Sequence, residues 1–125
     1  MITFAIAIKL AGPASGLPDV SAAYQNAILT YAACVETKMV ELEPSKADID
    51  DIFEAANMQC AAVRVDSIFI IQNDFEKSPP SISGKSALQM TIEILDGVAL
   101  MSKNRSRVAI LRKRAGLPPI DVQRL

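Results

Sequence analysis

Two groups of side chains in these 125 residues have types and spacings that could do chemistry. The first is the pair Cys34 and Cys60, the only cysteines. The second is a run of six cations with no acid among them: Lys103, Arg105, Arg107, Arg112, Lys113 and Arg114. There is no histidine. That removes the imidazole base, the Ser–His and Cys–His nucleophile pairs and the commonest zinc ligand. Two cysteines alone leave a tetrahedral zinc site half filled. The pair therefore reads as a disulfide between helices, or as two free buried cysteines acting as small hydrophobes. A bridge would close a loop of about 25 residues and stabilise the fold by roughly 3 kcal/mol. Its register is awkward. Cys34 lies about six to eight residues before the turn at Glu43-Pro44-Ser45, and Cys60 about twelve to fourteen after it. At about 1.5 Å per residue the two arms differ by roughly 9 Å, which the connection must absorb.

The basic run has competing readings. On one helix Lys103, Arg107 and Arg114 form one row and Arg105 with Arg112 another, flanking Val108 and Leu111. Such a basic amphipathic helix can lie on anionic lipid or contact phosphates. It holds no aromatic residue for base stacking. The plainer reading is charge at a helix C-terminus, complementing the dipole and facing the acidic second helix of this chain or a neighbour. The overall charge of -1 exerts no general pull toward nucleic acid. Its distribution is uneven, with 11 acids and 5 bases in residues 1–84 against 3 acids and 8 bases in 85–125.

Two further clusters are explained by helix ends. Asp48, Asp50, Asp51 and Glu54 crowd a helix start, where the dipole favours them, and lack the loop and glycine of a calcium site. Ser83-Gly84-Lys85-Ser86 resembles the end of a phosphate-binding loop. The glycine required five residues earlier is Pro79, which has no N–H to donate, so Ser83 reads as the cap of a third helix.

The elements that must position these groups are helical. Half the residues are hydrophobic and only 5% aromatic, with no Trp, a composition that suits packed helices better than a sandwich. Asp19 caps a first helix over about 20–40, with Val20, Tyr24, Ala27, Tyr31 and Cys34 on its inner stripe. Pro44 ends it. Ser45 and Asp48 start a second helix. Its stripe of Ile49, Ile52 and Phe53, Ala56, Cys60, Val63, Ser67, Ile70 and Ile71, and Phe75 keeps one helical register. Residues 63–72 are rich in β-branched side chains, so a strand pairing with 1–9 is the alternative, giving an α+β fold. After a turn at 78–84, a third helix spans about 85–102 with Leu88, Ile92, Leu95 and Ala99 inward. Polar residues 102–107 interrupt the pattern. Val108, Leu111 and Ala115 then fall on a different face, which predicts a bend or a separate short basic helix. Gly116 stops it.

The first ten residues are apolar apart from Lys9. They read as an arm packed on the body or as a secretory signal with small residues at Val20-Ser21-Ala22. The signal reading has only seven uncharged residues from Ile2 to Ile8 and no preceding Lys or Arg. No stretch approaches the roughly 20 apolar residues of a membrane span.

Tyr31-x-x-Cys34, Leu42, the acidic helix start with Ile52 and Ala55-Ala56, then Cys60 with Arg64 one turn on, resemble small exported two-cysteine helical proteins of proteobacteria. The resemblance covers about a third of the chain. It implies an envelope location and a disulfide-linked hairpin, and it implies no activity.

The expectation is therefore an all-α bundle: a helical hairpin, a third packed helix and a short basic C-terminal helix. Residues 1–18 form the arm or signal, and residues 19–125 a single domain ending in the basic segment 103–125. No enzyme activity and no cofactor are expected. The expected role is that of a structural or protein-interaction protein, exported and disulfide-linked, with a protein partner or a second copy. The alternative is a cytosolic nucleic-acid-binding regulator or assembly component using residues 103–114.

Overall fold

The computed structural model describes residues 21–77 and 84–119. The arm or signal at 1–18, the expected caps at Asp19 and Ser83, and the linker and tail at 78–83 and 120–125 lie outside the described residues. Four α-helices and one 3-10 turn make up the described chain: α1 (Ala22–Leu42), the turn Glu43–Ser45, α2 (Ile49–Gln59), α3 (Ala61–Lys77) and α4 (Ala87–Arg114). The fold is all-α. Residues 63–72 lie inside α3, so the strand alternative is not the structure adopted.

Local chemistry sets the helix ends. Ser21 is the N-cap of α1, its hydroxyl accepting from the Tyr24 N–H at 3.0 Å. Ser86 caps α4 in a complete capping box with Gln89. This cap, three residues beyond Ser83, moves the expected start of the helix. Asp48 is the N-cap residue of α2 and makes no side-chain cap bond. Ser45 instead closes the turn, donating to the Leu42 carbonyl at 2.8 Å.

The helices form an up-down-up bundle. Arg105 pairs with Glu36, and Lys113, eight residues on, pairs with Glu43, seven residues on, so α1 and α4 run parallel. Tyr31 meets Arg64, Ala27 meets Ser67 and Tyr24 meets Phe75, so α3 runs antiparallel to α1. The second arm is α2 and α3 in series. The single long helix expected from Ile49 to Phe75 is broken at Cys60, whose φ of -94° and ψ of 11° leave helical geometry. Its N–H still reaches the Ala56 carbonyl at 3.0 Å and that of Asn57 at 3.2 Å. The arm therefore bends without losing that bond.

One core joins all three arms. Tyr31, Val35 and Met39 of α1, Ile52 and Ala56 of α2, Ile71 of α3 and Leu95 of α4 are buried in it. Tyr24 packs edge-on against Phe75 with ring centroids 5.8 Å apart. Burial, reinforced by Asp74, raises the Tyr24 pKa.

α4 departs most from its expected form. It runs as one helix to Arg114, so no separate basic helix forms. Its inner stripe is Leu95, Val98, Ala99, Ser102, Ser106 and Ile110. Leu88 and Ile92, expected inward, are exposed. Residues 102–107 do not interrupt the helix, because at about 100° per residue Ser102 and Ser106 continue the Leu95–Ala99 stripe. Both serines are buried. Their small side chains let the neighbouring helices approach, while Lys103, Arg105 and Arg107 leave the helix at its sides.

Candidate functional site

A disulfide joins the first helix to the second arm. Cys34 and Cys60 are bonded, with Cα atoms 6.0 Å apart across 26 positions of sequence. The register difference is resolved by the turn. From Cys34 to Leu42 the chain rises about 12 Å as α-helix, and the 3-10 turn adds about 6 Å. From Ile49 back to Cys60 the rise is about 17 Å, so the two arms come level. Cys60 is fully buried and Cys34 half-buried. The bond ties α1 to the bend between α2 and α3.

A polar network lies one turn from it. The Tyr31 hydroxyl donates to Asn57 Oδ1 at 2.6 Å and accepts from Arg64 at 3.1 Å. A second Arg64 nitrogen donates to Asp96 Oδ1 at 2.7 Å. The guanidinium also lies 5.7 Å from the centre of the Tyr31 ring. Burial works against the Arg64 charge, but its hydrogen bonds to Tyr31 and Asp96 outweigh that and raise its pKa. This chain of contacts reaches all four helices. Tyr31 precedes Cys34 by three residues and Asn57 precedes Cys60 by three, so helical spacing places both beside the bridge. That spacing was readable in the sequence. Nothing in the sequence singled out Asp96.

Most of the basic run is engaged with this chain's own acids. Lys103 binds Asp50 at 2.7 Å and lies 5.2 Å from the centre of the Phe53 ring. That hydrogen bond and charge lower the Asp50 pKa. Arg105 lies 3.7 Å from Glu36. Lys113 binds the buried Glu43 at 3.1 Å, and Arg114 lies 3.9 Å from the same carboxylate while donating to the Ala47 carbonyl. The last turn of α4 thus clasps the α1–α2 turn. Arg112 donates to the Pro118 carbonyl. Arg107 makes no ion pair or hydrogen bond among the described residues and acts on Asp50 at longer range. With Asp48, Ile49, Asp50, Lys103, Asn104 and Leu111 it lines a shallow groove of about 320 Å³. The six cations therefore do not form one row on an open face. They are spread around α4, and four of them, Lys103, Arg105, Lys113 and Arg114, are set against Asp50, Glu36 and Glu43.

Glu36 is the acid most at odds with its surroundings. Burial pushes its pKa up, against the pull of Arg105. Its Oε2 is the buried side-chain oxygen without a hydrogen-bond partner among the described residues. No group of three or more Cys, Asp or Glu residues is placed to hold a metal ion among the described residues.

The surface also carries apolar side chains. Leu100, Met101, Val108 and Leu111 on α4 are each close to half exposed. Val65, Phe69 and Ile70 on α3 are exposed as well, the last two beside a shallow groove with Gln72, Asn73 and Glu76. No described helix is long and apolar enough to cross a membrane. No protein-family model, no curated protein sequence and no solved structure matches the chain.

Proposed function

We propose that this chain is a non-catalytic protein-interaction module, exported from the cytosol and held together by its disulfide. The observation that carries the reading is the second apolar face of α4. One face of that helix packs the bundle, and the other presents Leu100, Met101, Val108 and Leu111 to solvent. Four large apolar side chains on one outward helix face gain nothing from solvent and mark a surface that a partner covers.

The Cys34–Cys60 bridge supports export, because structural disulfides persist in oxidising compartments. The resemblance to small exported two-cysteine helical proteins points the same way. The engagement of Lys103, Arg105, Lys113 and Arg114 with internal carboxylates favours a protein partner over nucleic acid or anionic lipid. Binding phosphate through them would first break those ion pairs.

The test is the intact mass of the chain from its native cell, alkylated before and after reduction. A mass shortened at the N-terminus, with label taken up only after reduction, supports the reading. A full-length chain with both cysteines labelled at once overturns export and returns attention to the cytosolic, nucleic-acid-binding alternative. That alternative requires affinity that falls steeply with salt.

A further inference from the structure

We propose that two copies of this chain pair antiparallel along the outward face of α4. The proposal rests on the interaction reading above and names its surface and its occupant.

Gly97, Met101, Asn104, Val108, Leu111 and Ala115 recur at alternating spacings of four and three. This is the heptad spacing of a helix–helix seam. All six positions are exposed. The bundle's own contacts use Leu95, Val98, Ser102, Ser106 and Ile110, on the opposite side of the helix.

Three observations select a second copy as the occupant. The first is Gly97. A Cβ added there would meet nothing within 4 Å, so the bundle has no need of a glycine at that position. Glycine weakens a helix interior, and what it permits is the close approach of another backbone. The second is charge. Glu93 and Asp96 lie beside the N-terminal half of the seam, and Arg107 and Arg114 beside its C-terminal half; Glu93, Asp96 and Arg114 already pair with Lys85, Arg64 and Glu43 within the chain, but both acids are more than half exposed and open to a second cation. Antiparallel pairing sets each half against the opposite charge of the other copy, and parallel pairing sets like against like. Arg107, with no ion pair among the described residues, is available for that contact. The third is Asn104, the lone polar side chain of the seam, midway along it. In an antiparallel pair it falls near the two-fold axis, where two carboxamides can bond to each other and fix the register.

The experiment is sedimentation equilibrium of the full oxidised chain from micromolar to submillimolar concentration, with Val108→Glu and Gly97→Ala alongside. A dimer is expected. Val108→Glu should weaken it by about tenfold or more, with helical circular dichroism and Tm of the monomer retained. Gly97→Ala should raise the monomer's Tm and still weaken the dimer, a combination that a purely internal role for Gly97 does not produce. Spin labels at Ile92→Cys, which spares the seam and its charges, should lie about 35 Å apart in the antiparallel dimer, since each is about twelve residues from the axis. Labels about 10 Å apart would signal parallel pairing and overturn the orientation. A chain that stays monomeric, or a dimer indifferent to Val108→Glu, overturns the pairing. Either result leaves the exported interaction module standing, because its test reads mass and thiol state. A full-length, reduced chain that still dimerises would sink that reading and leave the pairing intact.

Discussion

Reducing the disulfide should destabilise the bundle by about 3 to 4 kcal/mol. The bond closes a loop across 26 positions. The chain-entropy relation for a loop of that length gives about 12 cal/mol/K, or about 3.5 kcal/mol at room temperature. Two structural facts keep the native-state side of the comparison small. The Cα atoms are 6.0 Å apart, inside the ordinary range for a bridge. Two thiols can also occupy nearly the same buried volume with a small shift of α1 against the bend. The effect therefore arises mainly in the unfolded chain, which regains its freedom on reduction. For a chain of this size it corresponds to a fall in Tm of about 15 °C. The assay is urea unfolding followed by circular dichroism, with and without a phosphine reductant. Reduction is preferable to cysteine substitution because it removes no atoms from the core. A reduced chain that unfolds within about 0.5 kcal/mol of the oxidised one would refute the reasoning. It would mean that the loop was already constrained in the unfolded state, or that the native bundle does not depend on the bridge.

Tyr31→Phe removes the hydroxyl that links Asn57 to Arg64. It should cost about 1 to 2 kcal/mol in urea unfolding, and Arg64→Met in the same background should then cost less than it does alone. Ser106 is buried on the α4 stripe, so Ser106→Leu should destabilise by about 1 to 3 kcal/mol through overpacking, while Ser106→Ala stays near wild type. Glu36 carries a pKa raised above its ordinary 4.5 by burial. A raised folded-state pKa gives stability that is full below the unfolded value and lost as pH rises through the folded one. Glu36→Gln, neutral throughout, should therefore gain on wild type as pH rises from acid toward neutral. A stability difference that does not change across that range would exclude this account.

The helical segments were legible because their causes are local. The stripe from Ile49 to Phe75 has one period, and Ile49, Ile52, Ala56, Cys60, Ser67 and Ile71 of it are buried. The Pro44 break is where α1 ends. The cap positions moved by a few residues, from Asp19 to Ser21 and from Ser83 to Ser86, because several serines and acids compete for each helix start. The bend at Cys60 left no mark in the sequence, since neither proline nor glycine makes it.

α4 divides what was readable from what was not. Its sequence contains two apolar stripes on different faces, and periodicity alone read the change of face as a break. A helix does not have to bury every apolar stripe it carries. Which one is buried depends on the neighbours, and here the stripe holding the small Ser102 and Ser106 is buried while Leu100 and Met101 stay outside. Charge behaves likewise. The cations of residues 103–114 are fixed by sequence, but whether they face solvent or Glu36, Glu43 and Asp50 depends on the parallel packing of α1 and α4. Local pattern sufficed for the all-α class, the composition of each face and the presence of two cysteines able to meet. Packing sets the register at which they meet, the cations that are neutralised and the apolar face left open. Local periodicity acts over a turn or two of helix, whereas those three outcomes depend on side-chain volumes and charges brought together from distant parts of the chain.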